Sequence, residues 1–129
     1  MIVADASAVL ELLLGTPAGA QVAARLAAPG ETAHAPHLLD LEIAQVLRRY
    51  VRRREVPAGR AREALDDLAD LPLVRFPHEP FLPRIWELRD QLTAYDAAYV
   101  ALAEVLGARL LTRDRALAAA RHDAAVELV

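Results

Sequence analysis

Lone carboxylates stand where the apolar segments of this sequence begin or end. Asp5 follows the apolar start of the chain in "MIVADAS", and Asp96 and Asp114 lie toward the two ends of "LTAYDAAYVALAEVLGARLLTRD". In an open parallel sheet the carboxyl ends of the strands line one edge, where ligands bind, and each crossover helix begins at that edge. We therefore expect Asp5, Asp96 and Asp114 to converge.

Such a cluster of carboxylates requires a positive partner. Two unit charges about 4 Å apart repel each other by roughly 4 kcal/mol at an effective dielectric constant of 20. Hard divalent cations suit a site made only of oxygen ligands, with Mg²⁺ or Mn²⁺ as the natural choices. Such ions activate water and stabilise in-line displacement at phosphorus. The acids therefore predict metal-dependent phosphodiester chemistry.

Each of these acids also has a purely structural interpretation. Asp5 and Asp114 are suited to cap helices, a contact worth about 1 kcal/mol each. Asp96 stands three residues after Thr93, which is the spacing of a capping box. The expected convergence at one sheet edge favours a functional role over three unrelated caps.

A fourth acid is ambiguous on spacing alone. Glu42 lies well inside the predicted helix "HLLDLEIAQVLRRYVRRR", too far from its start to be a cap. Asp40 flanks the apolar stripe of the same helix on its other side. The pattern does not choose between them, and a solvated surface acid remains an equal alternative.

Composition excludes several classes of protein. The chain has 129 residues, 55% of them hydrophobic, which fits one domain with a real core. It has no cysteine, so disulfides, zinc–thiolate sites and cysteine nucleophiles are excluded. All 15 basic residues are Arg, so the lysine of a P-loop or a Schiff base is missing. With no apolar run of about 20 residues, we expect a cytoplasmic protein without a membrane segment.

Apolar strands alternate with helices along the whole chain. Helices are predicted at 6–14, 17 to about 28, 37–54, 57 to about 70, 80–92, 95–106 and 115–120. Strands are predicted at 1–4 and within 31–36, 71–76, 108–112 and 125–129. This alternation predicts a single α/β domain over residues 1–129, with a central, mostly parallel sheet of four to five strands flanked by helices.

Three segments together resemble the PIN-domain ribonucleases, especially the VapC-type toxins. They are "VADASAVLELL", "APHLLDLEIAQVLRRY" and "TAYDAAYVALAEVLGARLLTRD", and they match in order and spacing over nearly the whole chain. The most specific block combines T-x-Y-D-A-x-Y-x-A-L-A with L-L-T-x-D. The resemblance implies a PIN-like fold and an endoribonuclease that hydrolyses RNA with a metal-activated water.

The resemblance also implies roles for particular residues and partners. The family's acids fall on Asp5, Glu42, Asp96 and Asp114, which would hold Mg²⁺, or Mn²⁺ in its place. The supporting hydroxyls fall on Ser7, Thr112 and, less directly, Thr93. The family implies a homodimer and a cognate antitoxin whose C-terminal segment covers the acidic site. Where some relatives carry a further acid after the T-x-D motif this chain has none, so we expect one firmly bound ion and a second recruited by RNA.

The run "RRYVRRR" is a further candidate for RNA contact. Arg48, Arg49, Arg52 and Arg53 follow i, i+4 spacing and form a predicted ridge that could bind phosphates. A solvated helix end favoured by the helix dipole explains the same run.

Two other functions fit the same pattern. A housekeeping RNA-processing nuclease would keep the fold and the acids without toxicity. A catalytically silent binding module would use the acids only as caps, and metal binding would distinguish it, because caps need no Mg²⁺.

Overall fold

A computed structural model describes all of residues 1–129, with five strands and seven α-helices in alternation. In chain order they are β1 (Ile2–Ala4), α1 (Ala6–Leu14), α2 (Pro17–Leu26), β2 (Ala33–Pro36), α3 (Leu38–Arg52), α4 (Ala58–Asp70), β3 (Leu73–Phe76), a 3₁₀ helix (Glu79–Phe81), α5 (Leu82–Glu87), α6 (Ala94–Leu106), β4 (Arg109–Thr112), α7 (Arg115–Ala119) and β5 (Ala125–Leu128).

All five strands form one parallel sheet in the order β3-β2-β1-β4-β5. The predicted α/β fold is confirmed, including the last strand. Val3 of β1 pairs with His34 on one side and with Leu110 of β4 on the other, so β1 lies at the centre of the sheet. Because the strands are parallel, the residues that follow β1 and β4 come out at the same edge. The two motifs "ADAS" and "LLTRD" therefore meet there.

Helix α6 crosses the core and carries the third acid to that edge. Seven consecutive residues of α6, from Ala97 to Ala103, are buried, and three strands contact the helix. Four of these seven are alanines, whose small side chains let the helix pack close to the sheet. Thr93 caps the amino end, and Gly107 ends the helix in the left-handed conformation at φ 60°, as the sequence predicts.

One predicted helix is wrong in extent. The sequence predicts a single helix over 80–92, whereas the structure has the 3₁₀ turn, the short α5 and then irregular turns up to Leu92. Leu88 and Leu92 are both buried in the core. The chain turns between them, so that each leucine enters the core from a separate turn. The side-chain amide of Gln91 exchanges two hydrogen bonds with the backbone of Arg121, at 2.6 and 3.4 Å. These tertiary contacts outweigh local helix propensity.

Helices α1 and α2 form a hairpin with a very close contact. They meet at a bend of 109°; together they have the length and apolar composition of a membrane span, but no single helix does. Gly19 of α2 lies against the backbone of α1, and a Cβ placed on it would come within 2.1 Å of the Glu11 carbonyl oxygen. Only glycine allows this approach.

We therefore expect Gly19→Ala to destabilise the protein by about 3 kcal/mol, because the clash with backbone forces the two helices apart. Gly59→Ala is the matched control, since a Cβ on this exposed glycine of α4 has nothing within 4 Å. That substitution should leave stability unchanged or raise it by up to about 1 kcal/mol through better helix propensity. Urea denaturation of both variants measures the difference, and equal effects would contradict the tight α1–α2 contact.

Candidate active site

A cleft of about 340 Å³ opens at the carboxyl edge of β1 and β4, between α1, α3 and α6. It brings together all four acids predicted from the sequence. Its lining residues are Asp5, Ala6, Ser7, Leu10, Glu11, Glu42, Val46, Arg49, Tyr50, Asp96, Tyr99, Arg113 and Asp114. We call this surface the acidic cleft.

Asp5 is the most constrained of the four acids. It caps α1, and its Oδ1 accepts hydrogen bonds from the backbone N–H of Ala8 at 3.0 Å and the hydroxyl of Ser7 at 2.6 Å. The hydroxyl of Thr112 donates to its Oδ2. Only 5% of the residue is exposed. The capping interpretation is therefore confirmed for Asp5, but it accounts for only one oxygen.

The hydroxyls of Ser7 and Thr112 connect the end of β1 to the turn after β4 through hydrogen bonds. Ser7 Oγ accepts the backbone N–H of Arg113 at 2.9 Å, and Thr112 Oγ1 accepts that of Asp114, also at 2.9 Å. The hydroxyl oxygens of Ser7 and Thr112 lie 3.3 Å apart, so a single hydrogen-bond network joins the motifs "ADAS" and "LLTRD". The structure thus places the predicted Ser7 and Thr112 beside Asp5, where they fix the orientation of its carboxylate.

Asp114 and Asp96 occupy the first turns of two helices in different ways. Asp114 caps α7 through a hydrogen bond that its Oδ1 accepts from the N–H of Ala116 at 2.8 Å. Asp96 is not the cap of α6; Thr93 is, and its hydroxyl accepts the N–H of Asp96 at 3.2 Å. Thr93 does not line the cleft, so its role is that of a cap. Capping explains Asp5 and Asp114 in part, and explains neither Asp96 nor Glu42.

The structure distinguishes Glu42 from Asp40, the two acids of α3 that the sequence left as alternatives. Asp40 points away from the cleft and accepts two hydrogen bonds from Arg75, at 2.8 and 2.9 Å. Glu42 lines the cleft, and its Oε1 accepts a 2.6 Å hydrogen bond from the hydroxyl of Tyr99. Tyr99 is a site residue that sequence reasoning missed, although it stands three positions after Asp96 and thus shares its helix face.

Burial and mutual repulsion raise the pKa of three cleft acids. Burial raises the pKa of Asp5, against hydrogen bonds from Ser7, Thr112 and Ala8 that lower it, and Asp114 adds repulsion. Burial likewise raises the pKa of Glu42, which Tyr99 partly offsets. For Asp96, burial comes first, followed by the charges of Asp114 and Asp5. The cleft is thus a site where negative charge is unfavourable without a cation.

The donor set of the cleft fits a hard divalent cation. All four acids offer carboxylate oxygens, the cleft contains no nitrogen or sulfur ligand, and neither of its two arginines is ion-paired to any of the four. No three acidic or histidine side chains are arranged to hold an ion without rotation. The chemistry fits Mg²⁺ or Mn²⁺, and side-chain rotation would have to complete the site.

The arginine run does not form one ridge as predicted. Arg49 lines the acidic cleft, whereas Arg48 and Arg52 line a different groove between α3 and α4. Arg53 is the exposed residue that caps the carboxyl end of α3. The helical period rotates neighbouring residues by about 100°, so adjacent arginines face different surfaces. Of the four, only Arg49 is positioned beside the acids.

Comparisons with known proteins identify the family. A model of the PIN domain matches residues 2–123. Ribonuclease VapC12 of Mycobacterium tuberculosis is 46% identical over 130 aligned positions, covering 100% of this chain and 99% of the relative. Ribonuclease VapC1 of the same species is 46% identical over 119 positions, covering 92% and 89%. The crystal structure of PAE2754 from Pyrobaculum aerophilum superimposes with a TM-score of 0.71 at 27% identity, covering 97% of this chain and 81% of that one.

The chain belongs to the PIN-domain family. Within that family it belongs with the VapC ribonucleases, to which it is similar over 92–100% of its length. The resemblance that the sequence motifs indicate is therefore confirmed.

The contact between Tyr99 and Glu42 gives a test of how the cleft is held. We expect Tyr99→Phe to lower the free energy of unfolding by about 2 kcal/mol, because it removes a hydrogen bond to a carboxylate. Tyr95→Phe is the matched control, since Tyr95 is 64% exposed on the same helix and its hydroxyl makes no hydrogen bond. Urea denaturation at neutral pH measures both. Equal stability of the two variants would show that the Glu42 contact contributes nothing.

Proposed function

We propose that this protein is a Mg²⁺-dependent endoribonuclease of the VapC toxin class, with Mn²⁺ able to replace Mg²⁺. The observation that carries the proposal is the convergence of Asp5, Glu42, Asp96 and Asp114 in one cleft of a PIN domain. Burial raises the pKa of Asp5, Glu42 and Asp96, and none of the four acids forms an ion pair within the protein. The names of the full-length relatives support ribonuclease activity.

The four carboxylates would hold the metal ion. When bound, the ion supplies Lewis acidity toward water and the phosphate oxygens. Ser7 and Thr112 orient Asp5, and Tyr99 orients Glu42, through the hydrogen bonds described above. We propose a single firmly bound ion, because the residue three positions after Asp114 is the buried Leu117.

The reaction is hydrolysis of an RNA phosphodiester. Water attacks phosphorus, the bond to the 3′-oxygen breaks, and the products are a 3′-hydroxyl and a 5′-phosphate. A cleft carboxylate accepts the proton of the attacking water.

Cleavage of a mixed pool of structured RNAs tests this proposal. We expect cleavage in Mg²⁺, its loss in EDTA and its return when Mn²⁺ is added. The products should carry 5′-phosphates, which a 5′-phosphate-dependent exonuclease detects. Cleavage that persists in EDTA, or products with 5′-hydroxyls, would contradict the mechanism.

We also propose a cognate antitoxin that inserts a basic side chain into the acidic cleft. The excess of carboxylates over arginines in the lining supports this form of inhibition, because a cation from a partner would replace the metal. Such an inhibitor should lose potency as Mn²⁺ is increased. Inhibition that is equal at all Mn²⁺ concentrations would show that the inhibitor binds elsewhere.

We further propose that the protein acts in the cytoplasm, because its proposed substrate is RNA.

A homodimer is proposed from the family resemblance and from one apolar face. Leu82 and Trp86 of α5 and Tyr95 of α6 are 54%, 68% and 64% exposed. Leu82 and Trp86 stand one turn apart, and Leu82 and Tyr95 line a common pocket. Large exposed apolar side chains in one region are typical of an interface. Sedimentation of the wild type and of Trp86→Glu should show a dimer and a monomer, and a monomeric wild type would contradict the proposal.

A further inference from the structure

The acidic cleft contains two arginines besides its carboxylates. Arg49 comes from α3 and Arg113 from the turn between β4 and α7. Neither forms an ion pair with Asp5, Glu42, Asp96 or Asp114. The two cations therefore do not serve to neutralise the predicted metal ligands, and their presence in the lining needs another explanation.

Elsewhere in the molecule, arginines are fixed by paired hydrogen bonds to a carboxylate. Arg25 donates two to Glu127, Arg75 two to Asp40 and Arg84 two to Glu104, all at 2.7–3.1 Å. These forked contacts are the strongest that the guanidinium group makes with a carboxylate. They tie separate elements together, so these three arginines are structural.

Arg113 is held in a different way. Its Nε lies 3.3 Å from Glu11 Oε1 in an ion pair without a hydrogen bond, and its Nη1 donates to the main-chain oxygen of Val129 at 3.3 Å. The side chain is 42% exposed. A ligand that offers two oxygens in forked geometry would therefore bind the guanidinium better than Glu11 does.

The backbone of Arg113, in contrast, is fixed beside the acids. Its N–H donates to Ser7 Oγ, and the residue stands between Thr112 and Asp114. The backbone of Arg113 is thus part of the network that orients Asp5, and its guanidinium forms an ion pair with Glu11, which also lines the cleft. The backbone of Arg113 is therefore fixed, whereas its guanidinium can exchange Glu11 for another anion. This combination suits the binding of a mobile anion.

We propose that Arg113 is a phosphate-binding residue of the acidic cleft. It accepts a phosphate of the RNA strand in forked geometry and releases Glu11, which acts as its counter-ion in the absence of RNA. Arg49, which makes no ion pair, provides a second positive group on the α3 wall. This inference rests on the proposed ribonuclease function, because it takes a phosphodiester strand as the ligand.

The salt dependence of RNA binding tests the proposal independently of cleavage. Binding of a mixed-sequence, single-stranded oligoribonucleotide is measured by fluorescence anisotropy over a series of KCl concentrations, in Mg²⁺. The parent for this experiment is Asp96→Asn, so that the RNA is not cut. Arg113→Gln, Arg113→Lys and Arg62→Gln are compared in that background. Arg62 is the control, since it lies in the α3–α4 groove and pairs with Asp66.

We expect Arg113→Gln to weaken binding several-fold and to reduce the slope of log K against log salt by about 0.7, the contribution of one phosphate contact to a single strand. Arg113→Lys should restore the slope but not the full affinity, because lysine keeps the charge and loses the fork. Arg62→Gln should change neither. In the cleaving background, Arg113→Gln should raise KM more than it lowers kcat.

An unchanged slope in Arg113→Gln, with a parent that binds RNA, would overturn this inference and leave the ribonuclease function intact. Equal loss in Arg113→Gln and Arg62→Gln would also overturn it, because it would show an effect of net charge rather than a local contact. Absence of RNA binding by the parent and of cleavage by the wild type would overturn both this inference and the proposed function.

Discussion

We expect Asp96→Asn to abolish RNA cleavage and, in the absence of metal, to make the protein more stable. The side chain keeps its shape but loses the charge that is proposed to bind the ion. Loss of a residue that only supports a metal ligand typically lowers metal affinity or activity by about 10- to 100-fold. Loss of a ligand itself should therefore lower activity by at least about 100-fold. Stability rises because burial and the charges of Asp114 and Asp5 raise the pKa of Asp96, so its ionised form is unfavourable in the folded state.

The two effects are measured on the same preparations. Initial cleavage rates in Mg²⁺ give the loss of activity, and thermal unfolding in EDTA at neutral pH gives the change in stability. Asp67→Asn is the matched control, as Asp67 is an exposed residue of α4 outside the cleft, and it should alter neither quantity. A loss of activity together with a lower unfolding temperature would indicate that Asp96 is a structural acid, and full activity would remove it from the site.

The metal-free protein should lose stability as the pH rises above the ordinary pKa range of carboxylic acids. Asp5, Glu42 and Asp96 have pKa values raised in the folded state, so the folded protein binds more protons than the unfolded chain in that window. Stability is then fully present below their unfolded pKa, near 4, and declines as the pH rises through the raised values.

Two other carboxylates act in the opposite direction at lower pH. The Arg84 guanidinium lowers the pKa of Glu104, and the Arg25 guanidinium lowers that of Glu127. The stability from these pairs is present above the unfolded pKa of glutamate, near 4.3, and is lost as the pH falls through their lowered values. We therefore expect maximal stability of the metal-free protein in mildly acidic solution.

A divalent ion bound in the acidic cleft should restore the stability that the metal-free protein loses at neutral pH. An ion present at about 100 times its dissociation constant adds about 2.7 kcal/mol of stability. Thermal melts with Mn²⁺ or EDTA over a pH series test this: the Mn²⁺ shift should be large at neutral pH and vanish in acid, where the carboxylates are protonated. A Mn²⁺ shift independent of pH, or a metal-free protein most stable at neutral pH, would contradict the electrostatics assigned to the cleft.

Much of the fold could be read from the sequence because local and global signals agree. Thr16 and Pro17 begin α2, and Gly107 ends α6, as their types predict. The extent of α5 could not be predicted, because it depends on contacts between Gln91 and Arg121, which are distant in sequence.

The site could be predicted in composition but not in detail. Spacing left Glu42 and Asp40 equivalent, and the difference lies in partners on other elements, Tyr99 for the first and Arg75 for the second. Helical spacing also grouped Arg48 with Arg49, although their different directions send only Arg49 into the cleft. A pattern on one helix does not contain the neighbours that decide such cases.

Calorimetric titration of Mn²⁺ into the wild type and into Asp96→Asn at neutral pH tests most directly whether the acidic cleft is a divalent-metal site. We expect saturable binding of one ion by the wild type, and binding at least about ten-fold weaker in Asp96→Asn. No binding by the wild type, or equal binding by the two proteins, would contradict it.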